Sequence, residues 1–338
     1  MNFAPLPGLA VLNPGGRDPD QSYEKGVIKL TGSEHPPVNY HGYAACTAGA
    51  FYRDPELAAR HRSVLLLLRG DFRRARSALR VLKAHGCFVG ITIKESGVHQ
   101  IANQLAQPGR FALFQELAAS ADACLASTPE LVPLYASVSR QVVQVPTPYP
   151  VDLEGWDFSL PPRERRGIFI GTREFDVPSR NHLLALASVR TLSEKITVIS
   201  HGARTARLIN ALGFPSDQLN VYPRLGYPAY LRLMARHRTI LQFDQSFVPG
   251  QVAGDGAMCG IPTVGGNGAI ERLICPALHG HGRTFSELIQ LTGQILHNDG
   301  FYEQQITAMR KAALESISFA SVREQLARYF PGTVRSFG

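Results

Sequence analysis

Three stretches of the 338-residue chain gather residue types that can do chemistry. The first is Phe243 to Gly268, FDQSFVPGQVAGDGAMCGIPTVGGNG. Its pattern predicts a strand, a Pro-Gly turn and a short helix of small residues (Gly250, Ala253, Gly254, Gly256, Ala257). Cys259-Gly260-Ile261-Pro262 then leads into another strand. A helix that starts on glycine exposes amides with no intrahelical acceptor, and its dipole adds positive potential, so the start at Gly250, Gln251 and Val252 suits a phosphate. Asp255, about one turn further on, has the acceptor oxygens to hold ribose hydroxyls; its plainer role is that of a capping or solvated carboxylate. Phe247 offers a ring, for stacking or for ordinary packing.

The second stretch follows the apolar run CFVGITI and contains Lys94, Glu95, Ser96 and His99. Glu95 and His99 are the candidates for taking a proton from a hydroxyl, with Asp71 a weaker third; the competing reading is salt bridging and capping. The third stretch, Arg53 to Lys83, holds nine basic and three acidic side chains, so much of the positive excess sits there. Within it Arg73, Arg76, Arg80 and Lys83 repeat at helical spacing beside an apolar stripe of Phe72, Ala75, Leu79 and Leu82, a basic ridge on an amphipathic helix.

The elements that must position these groups alternate, short β-like runs with longer helical ones, which is the pattern of an α/β protein with parallel sheets. Strands are predicted at Val27 to Leu30, Val64 to Leu68, Cys87 to Ile93, Ala123 to Ala126 and Val142 to Val145. A second series comprises Gly167 to Ile170, Ile196 to Ser200, Leu219 to Tyr222, Thr239 to Phe243 and Pro262 to Val264. Between the series lies PTPYPVDLEGWDFSLPPRERR, with five prolines and the only tryptophan, the best domain boundary in the chain. Residues 1–150 and 151–316 are thus expected to form two doubly wound Rossmann-like domains. Their strand ends would face an interdomain cleft, the first place to look for chemistry. Residues 317–338 contain an amphipathic helix, Phe319 to Phe330, with Val322, Leu326 and Tyr329 on one face. Residues 32–56, with His35, His41, Tyr43 and Tyr52 among Gly, Pro and Ala, read as a long loop without metal-ligand spacing.

Composition excludes several classes. At 44% hydrophobic and 18% charged the chain has material for two cores and is not disordered. A net charge of +8 invites an anionic partner, but without interleaved aromatics or a recognisable module it does not indicate nucleic acid. Five scattered cysteines without a C-x-x-C pair suggest neither disulfides nor zinc, and point to a reducing, cytoplasmic compartment. The amino terminus lacks a basic n-region, and no apolar run is long enough to span a membrane, so any membrane contact is expected to be peripheral.

The Phe243–Gly268 segment resembles the carboxy-terminal signature of family 4-like glycosyltransferases of the GT-B fold, in which a phosphate turn leads to Glu-Ala-Met-Ala-Cys-Gly-x-Pro-Val-Val. Asp255, Ala257, Met258, Cys259, Gly260, Pro262 and Val264 fall on or beside that motif. Ala121 to Tyr135, Val145 to Asp152, Gly167 to Arg180 and Leu219 to Ser246 are similar to other parts of the family, so the likeness covers roughly residues 85–330 and is firm from 165 onward. The chain also departs from it: two glutamates separated by seven residues bracket the family's phosphate turn, and here the first position holds Phe247 while the second is shortened to Asp255.

The resemblance implies a nucleotide-sugar-dependent transferase acting on a hydroxyl of a glycan or lipid-linked acceptor in polysaccharide or glycolipid synthesis. It implies donor contacts from Arg173 and Arg180 after the strand that opens the second domain, from His201-Gly202, and from Phe247, Gly250, Gln251, Val252 and Asp255. It also implies a tail that crosses back to the first domain. No cofactor or metal is expected, because cationic side chains and amides can neutralise a leaving diphosphate. The acceptor side would use Glu95 and His99, with the ridge Arg73, Arg76, Arg80 and Lys83 meeting an acceptor or an anionic membrane. A nucleotide-sugar epimerase of the same fold and a catalytically inactive nucleotide-sugar-binding subunit are the competing readings.

Overall fold

Ser63 to Leu68 is buried at every position, and a strand apolar on both faces belongs in the middle of a parallel sheet covered by helices. In the computed structural model, which describes residues 5–26, 35–171, 177–192, 194–200 and 202–333, this strand is β4 (His61–Leu68) of a seven-stranded sheet. The others are β1 (Leu6–Leu12), β2 (Gln21–Ser22), β3 (Ala50–Tyr52), β5 (Phe88–Ile93), β6 (Ala123–Ala126) and β7 (Val142–Gln144), in the order β2-β3-β1-β4-β5-β6-β7. All pairings are parallel except β2 with β3. A second sheet has the order β10-β9-β8-β11-β12 and is parallel throughout: β8 (Ile168–Ile170), β9 (Ile196–Ile199), β10 (Leu219–Tyr222), β11 (Thr239–Gln242) and β12 (Thr263–Gly265).

Each sheet organises one compact unit. The first unit comprises the residues up to Asp152 together with those from Ser316 onward; the second is Leu153–Glu315. The tail joins the first unit through specific contacts. The Tyr149 amide donates to the Ile317 carbonyl at 2.8 Å, and the Asp152 carboxylate accepts from the Phe319 and Ala320 amides at 3.1 and 3.0 Å. In the helix Phe319–Ala327, Val322 and Leu326 are buried while Tyr329, just beyond it, is exposed. Phe330 packs edge-on against Phe88, and Gly90 leaves room for its ring: a Cβ there would fall 2.6 Å from it.

The first sheet holds the main departures from expectation. Strand β1 was not expected in a stretch broken by Pro5, Pro7 and Gly8; it forms with a register shift between Leu6 and Leu9, and Leu9 to Leu12 pair with both neighbours or lie fully buried. Residues 35–56 are no loop. They contain the buried helix Tyr40–Cys46, β3 and a short helix Pro55–Ala58. His41 lies between the rings of His35 and Phe51, so its burial, with the His35 and Lys94 charges adding to it, pushes its pKa down to about 2. The predicted strand Val27 to Leu30 lies outside the described residues. The amphipathic stretch from Phe72 forms the helix Arg73–Ala84, with Ala75, Leu79 and Leu82 buried and Phe72, fully buried, capping it at φ +62°.

All five cysteines are buried thiols. Among the described residues, no helix is long and apolar enough to cross a membrane.

Candidate functional site

In the second sheet the chain leaves β8 toward β9 and β10, then returns to the other side of β8 as β11. The carboxyl ends of β8 and β11 therefore flank the point where the winding reverses, which in open α/β sheets is where ligands bind. After β8 come Gly171, the turn Pro178–Arg180 and the helix His182–Ser188. The His182 ring presses on Gly171 so closely that a Cβ there would fall 2.4 Å from its Nε2. Burial, with the Arg180 charge adding to it, pushes its pKa down to about 3. The Asn181 side-chain amide donates to the Phe243 carbonyl at 3.0 Å, joining the loops after the two strands.

The loop after β11 is braced by the loop after β12. The Phe247 amide donates to Asn267 Oδ1 at 2.9 Å, the Ala269 amide to the Val248 carbonyl at 3.0 Å, and the Ile270 amide to the Pro249 carbonyl at 2.9 Å. This brace ends at Gly250, which starts the helix Gln251–Met258 at φ +99°, a backbone that side-chain-bearing residues rarely adopt. Gly250 brings no side chain to cap this helix, and its first turn contains no acid. Its leading amides have no acceptor within the helix and lie at the positive end of its dipole, so the turn can bind an anion.

Glu271 of the helix Ala269–Ile274 lies behind that turn. Its Oε1 accepts from the Gln242 side chain at 2.6 Å; its Oε2 is buried with no hydrogen-bond partner and lies against Gly250 and Gly268, where an added Cβ would fall 2.1 and 2.4 Å from it. Burial, reinforced by the Asp244 charge and opposed by the Gln242 hydrogen bond and the Arg272 charge, pushes its pKa up to about 7. Sequence reading passed over Glu271. The available signal was an acid in the otherwise largely apolar run AIERLI, three positions after Gly268.

The sequence candidates fare differently. Gly250 and the amides of Gln251 and Val252 form the helix start, and Arg180 stands after β8 at the same sheet edge. Gly202 caps the helix Ala203–Ala211 after β9 at φ +97°. Arg173 and His201 lie outside the described residues. Asp255 is only 1% exposed and accepts a hydrogen bond from the buried Tyr227 hydroxyl, so its carboxylate is tied to the helix Tyr227–Met234 as well as standing one turn from the helix start. Phe247 is half-buried at φ +52°, edge-on to His281 with the Arg272 guanidinium 5.7 Å from its ring centre, so packing already occupies much of it.

In the first unit Glu95 and His99 follow β5 at its carboxyl end, both exposed, Glu95 with Arg69 at 3.8 Å and His99 in the first turn of the helix Val98–Leu105. The ridge is largely paired: Arg73 with Asp71 (3.8 Å), Arg76 with Glu116 (3.5 Å) and Lys83 with Asp122 (2.7 Å). Among the described residues only Arg80 of the four has no carboxylate within 4 Å, so the ridge presents far less free charge than its sequence suggests. A cavity of about 460 Å³ opens at the amino-terminal end of β8, but its Arg238 is committed to the Ile295 carbonyl and Asp299 at 2.7 and 2.5 Å.

No protein-family model matches the chain, and no curated sequence is similar to it. Solved structures are. Sucrose-phosphate synthase from Thermosynechococcus elongatus superposes over 96% of this chain and 98% of its own, with a TM-score of 0.61 at 14% identity. Anabaena HepE, determined in complex with UDP-glucose, matches over 81% of this chain and 79% of its own (TM-score 0.62, 11% identity). A UDP-forming α,α-trehalose-phosphate synthase from Burkholderia xenovorans matches over 80% and 73% (TM-score 0.59, 11% identity). The chain has the GT-B fold, two Rossmann-like domains, in a form far diverged in sequence.

Proposed function

We propose that the protein is a glycosyltransferase that moves a sugar from a nucleotide-activated donor to a hydroxyl acceptor in glycan or glycolipid biosynthesis. The observation that carries this reading is the glycine-started helix at Gly250, braced at the switch point of the second sheet in a chain of GT-B fold. The donor's diphosphate sits on the amides of Gln251 and Val252, with Arg180 as its cationic partner and with Arg173, His201 and Gly202 as the further contacts that the family resemblance implies. As the glycosidic bond to the leaving phosphate breaks, charge builds on the phosphate oxygens. Preorganised amides and a guanidinium stabilise it there and supply the positive charge without requiring a metal.

Glu271 acts as a positioning residue in this scheme. Wedged against Gly250 and Gly268, with burial favouring its uncharged form, it holds the turn in place while limiting the negative charge beside the diphosphate. The first unit carries the acceptor, with Glu95 or His99 taking the proton of the attacking hydroxyl.

Thermal-shift screening of the full chain against nucleoside diphosphates tests the donor site. The expected result is stabilisation by at least one of them, and indifference to all would remove the basis of the reading. Product analysis with the stabilising nucleotide's sugar conjugate, with and without sugar acceptors, then separates transfer from epimerisation. Transfer requires the acceptor, whereas epimerisation yields a changed nucleotide-sugar in its absence.

A further inference from the structure

The first sheet has its own reversal of winding: from β1 the chain moves to β3 on one side, then crosses to β4 and onward on the other. The carboxyl ends of β1 and β4 flank that point, and a cavity of about 470 Å³ opens there. Gly15 and Arg17 line it from the loop after β1; Arg69, Gly70, Asp71 and Arg74 line it from the loop after β4. Three guanidinium groups thus face one carboxylate, and Asp71 is already engaged, accepting from the Arg73 amide at 3.1 Å and pairing with its guanidinium at 3.8 Å. Arg69 is 3.8 Å from Glu95, while among the described residues Arg17 and Arg74 have no carboxylate within 4 Å.

Two further observations favour an anion at this cavity. Arg73 and Arg74 occupy the first turn of the helix Arg73–Ala84, which contains no acid; the Asp71 carboxylate that accepts from the Arg73 amide stands against both guanidinium groups at the positive end of the helix dipole, where cations are disfavoured and a further anion is welcome. Beneath the loop after β1, Asn13 is fully buried with both side-chain polar atoms unpartnered, and it presses on Gly16, between the two cavity-lining residues, so tightly that a Cβ there would fall 2.1 Å from its Nδ2. Buried amides without partners are uncommon and mark ligand or water positions. The electropositive field is already felt nearby: burial works against the Asp18 carboxylate, yet the Lys94 ammonium 2.7 Å away, with His35 and Arg69 assisting, holds its pKa below the ordinary value.

We propose that this cavity binds a phosphate group through Arg17, Arg69 and Arg74, so that the acceptor is phosphorylated. That the ligand is an acceptor rests on the glycosyltransferase reading; that the cavity takes phosphate does not. The phosphate belongs either to a soluble sugar phosphate or to a lipid-linked one, and its recognition by guanidinium groups is the same in both.

The test is calorimetric titration of the full chain with glucose 6-phosphate and glucose, beside co-sedimentation with phosphatidylcholine vesicles that contain or lack a polyprenyl phosphate. One phosphorylated probe should bind and its unphosphorylated counterpart should not; a soluble ligand responds in the calorimeter, a lipid-borne one only in the vesicle arm. The double variant Arg17→Gln/Arg74→Gln should lose about tenfold in affinity per arginine, and Arg17→Lys/Arg74→Lys should retain part of it. Both pairs are exposed, so a circular dichroism melt should show each variant folded. Binding of neither phosphorylated probe, or binding that survives the glutamine pair, overturns the proposal. Nucleoside diphosphate binding, measured on the same samples, should be untouched by either pair. If the wild-type protein binds the phosphorylated probe but no nucleotide, the transferase reading fails while the cavity assignment stands.

Discussion

The two sheets present their carboxyl ends to anions by opposite means. In the second unit the positive potential comes from backbone: a glycine at φ +99°, the helix start that follows it, and a cross-braced loop behind it. In the first it comes from side chains: Arg17, Arg69 and Arg74 around a cavity that carries one acid. Backbone amides are fixed by the fold and pay no ordering entropy, whereas arginines on exposed loops must be ordered by the ligand they bind. The contrast suits a diphosphate that must be held rigidly while its bond breaks, and an acceptor that has only to be captured and oriented.

Substitutions that insert a side chain into the backbone site should therefore do the most damage. Gly250→Val places a β-branched residue at a left-handed φ and drives its Cβ into Glu271; the expected loss is about 4 kcal/mol of stability by urea unfolding, with nucleotide binding abolished. An unchanged denaturation midpoint would show that the turn is not the rigid element described.

Next is the pH dependence of Glu271. A carboxyl whose folded pKa lies near 7, above its unfolded value, contributes stability that is fully present below about pH 4.5 and is lost as pH rises through about 7. Glu271→Gln, which cannot ionise, should gain on the wild type by about 3 kcal/mol between those limits, while the buried histidines, common to both proteins, cancel in the difference. A pH-independent difference would mean that the carboxyl titrates as an exposed one does.

Arg180→Ala is expected to be smaller, about tenfold in nucleoside diphosphate affinity by calorimetry with little change in stability, because it removes one charge from a proposed site that keeps its amides, Arg173 and His201. An affinity left intact would move the cationic partner elsewhere. At the bottom of the scale, Arg80→Gln on the ridge should change stability by no more than about 0.5 kcal/mol and leave nucleotide binding alone, since among the described residues Arg80 joins no ion pair.

How far the sequence revealed these features follows from what each depends on. Strand β6 appears at the expected residues, and β4, β5, β8, β9, β11 and β12 within a few, because buried parallel strands are written as apolar runs between turn signals; the exposed edge strand β10 also falls where its short β-like run was read. Strand β1 was hidden by Pro7 and Gly8, which pattern reading treats as breakers but which the fold absorbs in a register shift. The glycine-started helix was legible because Gly250 and its small neighbours have no other ready use. The fate of Asp255 was not, since it turns on Tyr227, 28 positions away, whose hydroxyl reaches the carboxylate only in the folded chain. Glu271 and the cavity of Arg17, Arg69 and Arg74 were invisible for the same reason: the first depends on Gly250, 21 positions away, closing with Gly268 over one oxygen, the second on two loops that the sheet order brings together.

The most direct measurement is an amide NMR titration of the full chain with the common ribonucleoside diphosphates. The largest shifts should fall on Gly250, Gln251, Val252 and Ala253 and disappear in Gly250→Val. Shifts confined to the first unit, or none with any nucleotide, would contradict the donor site at this helix start.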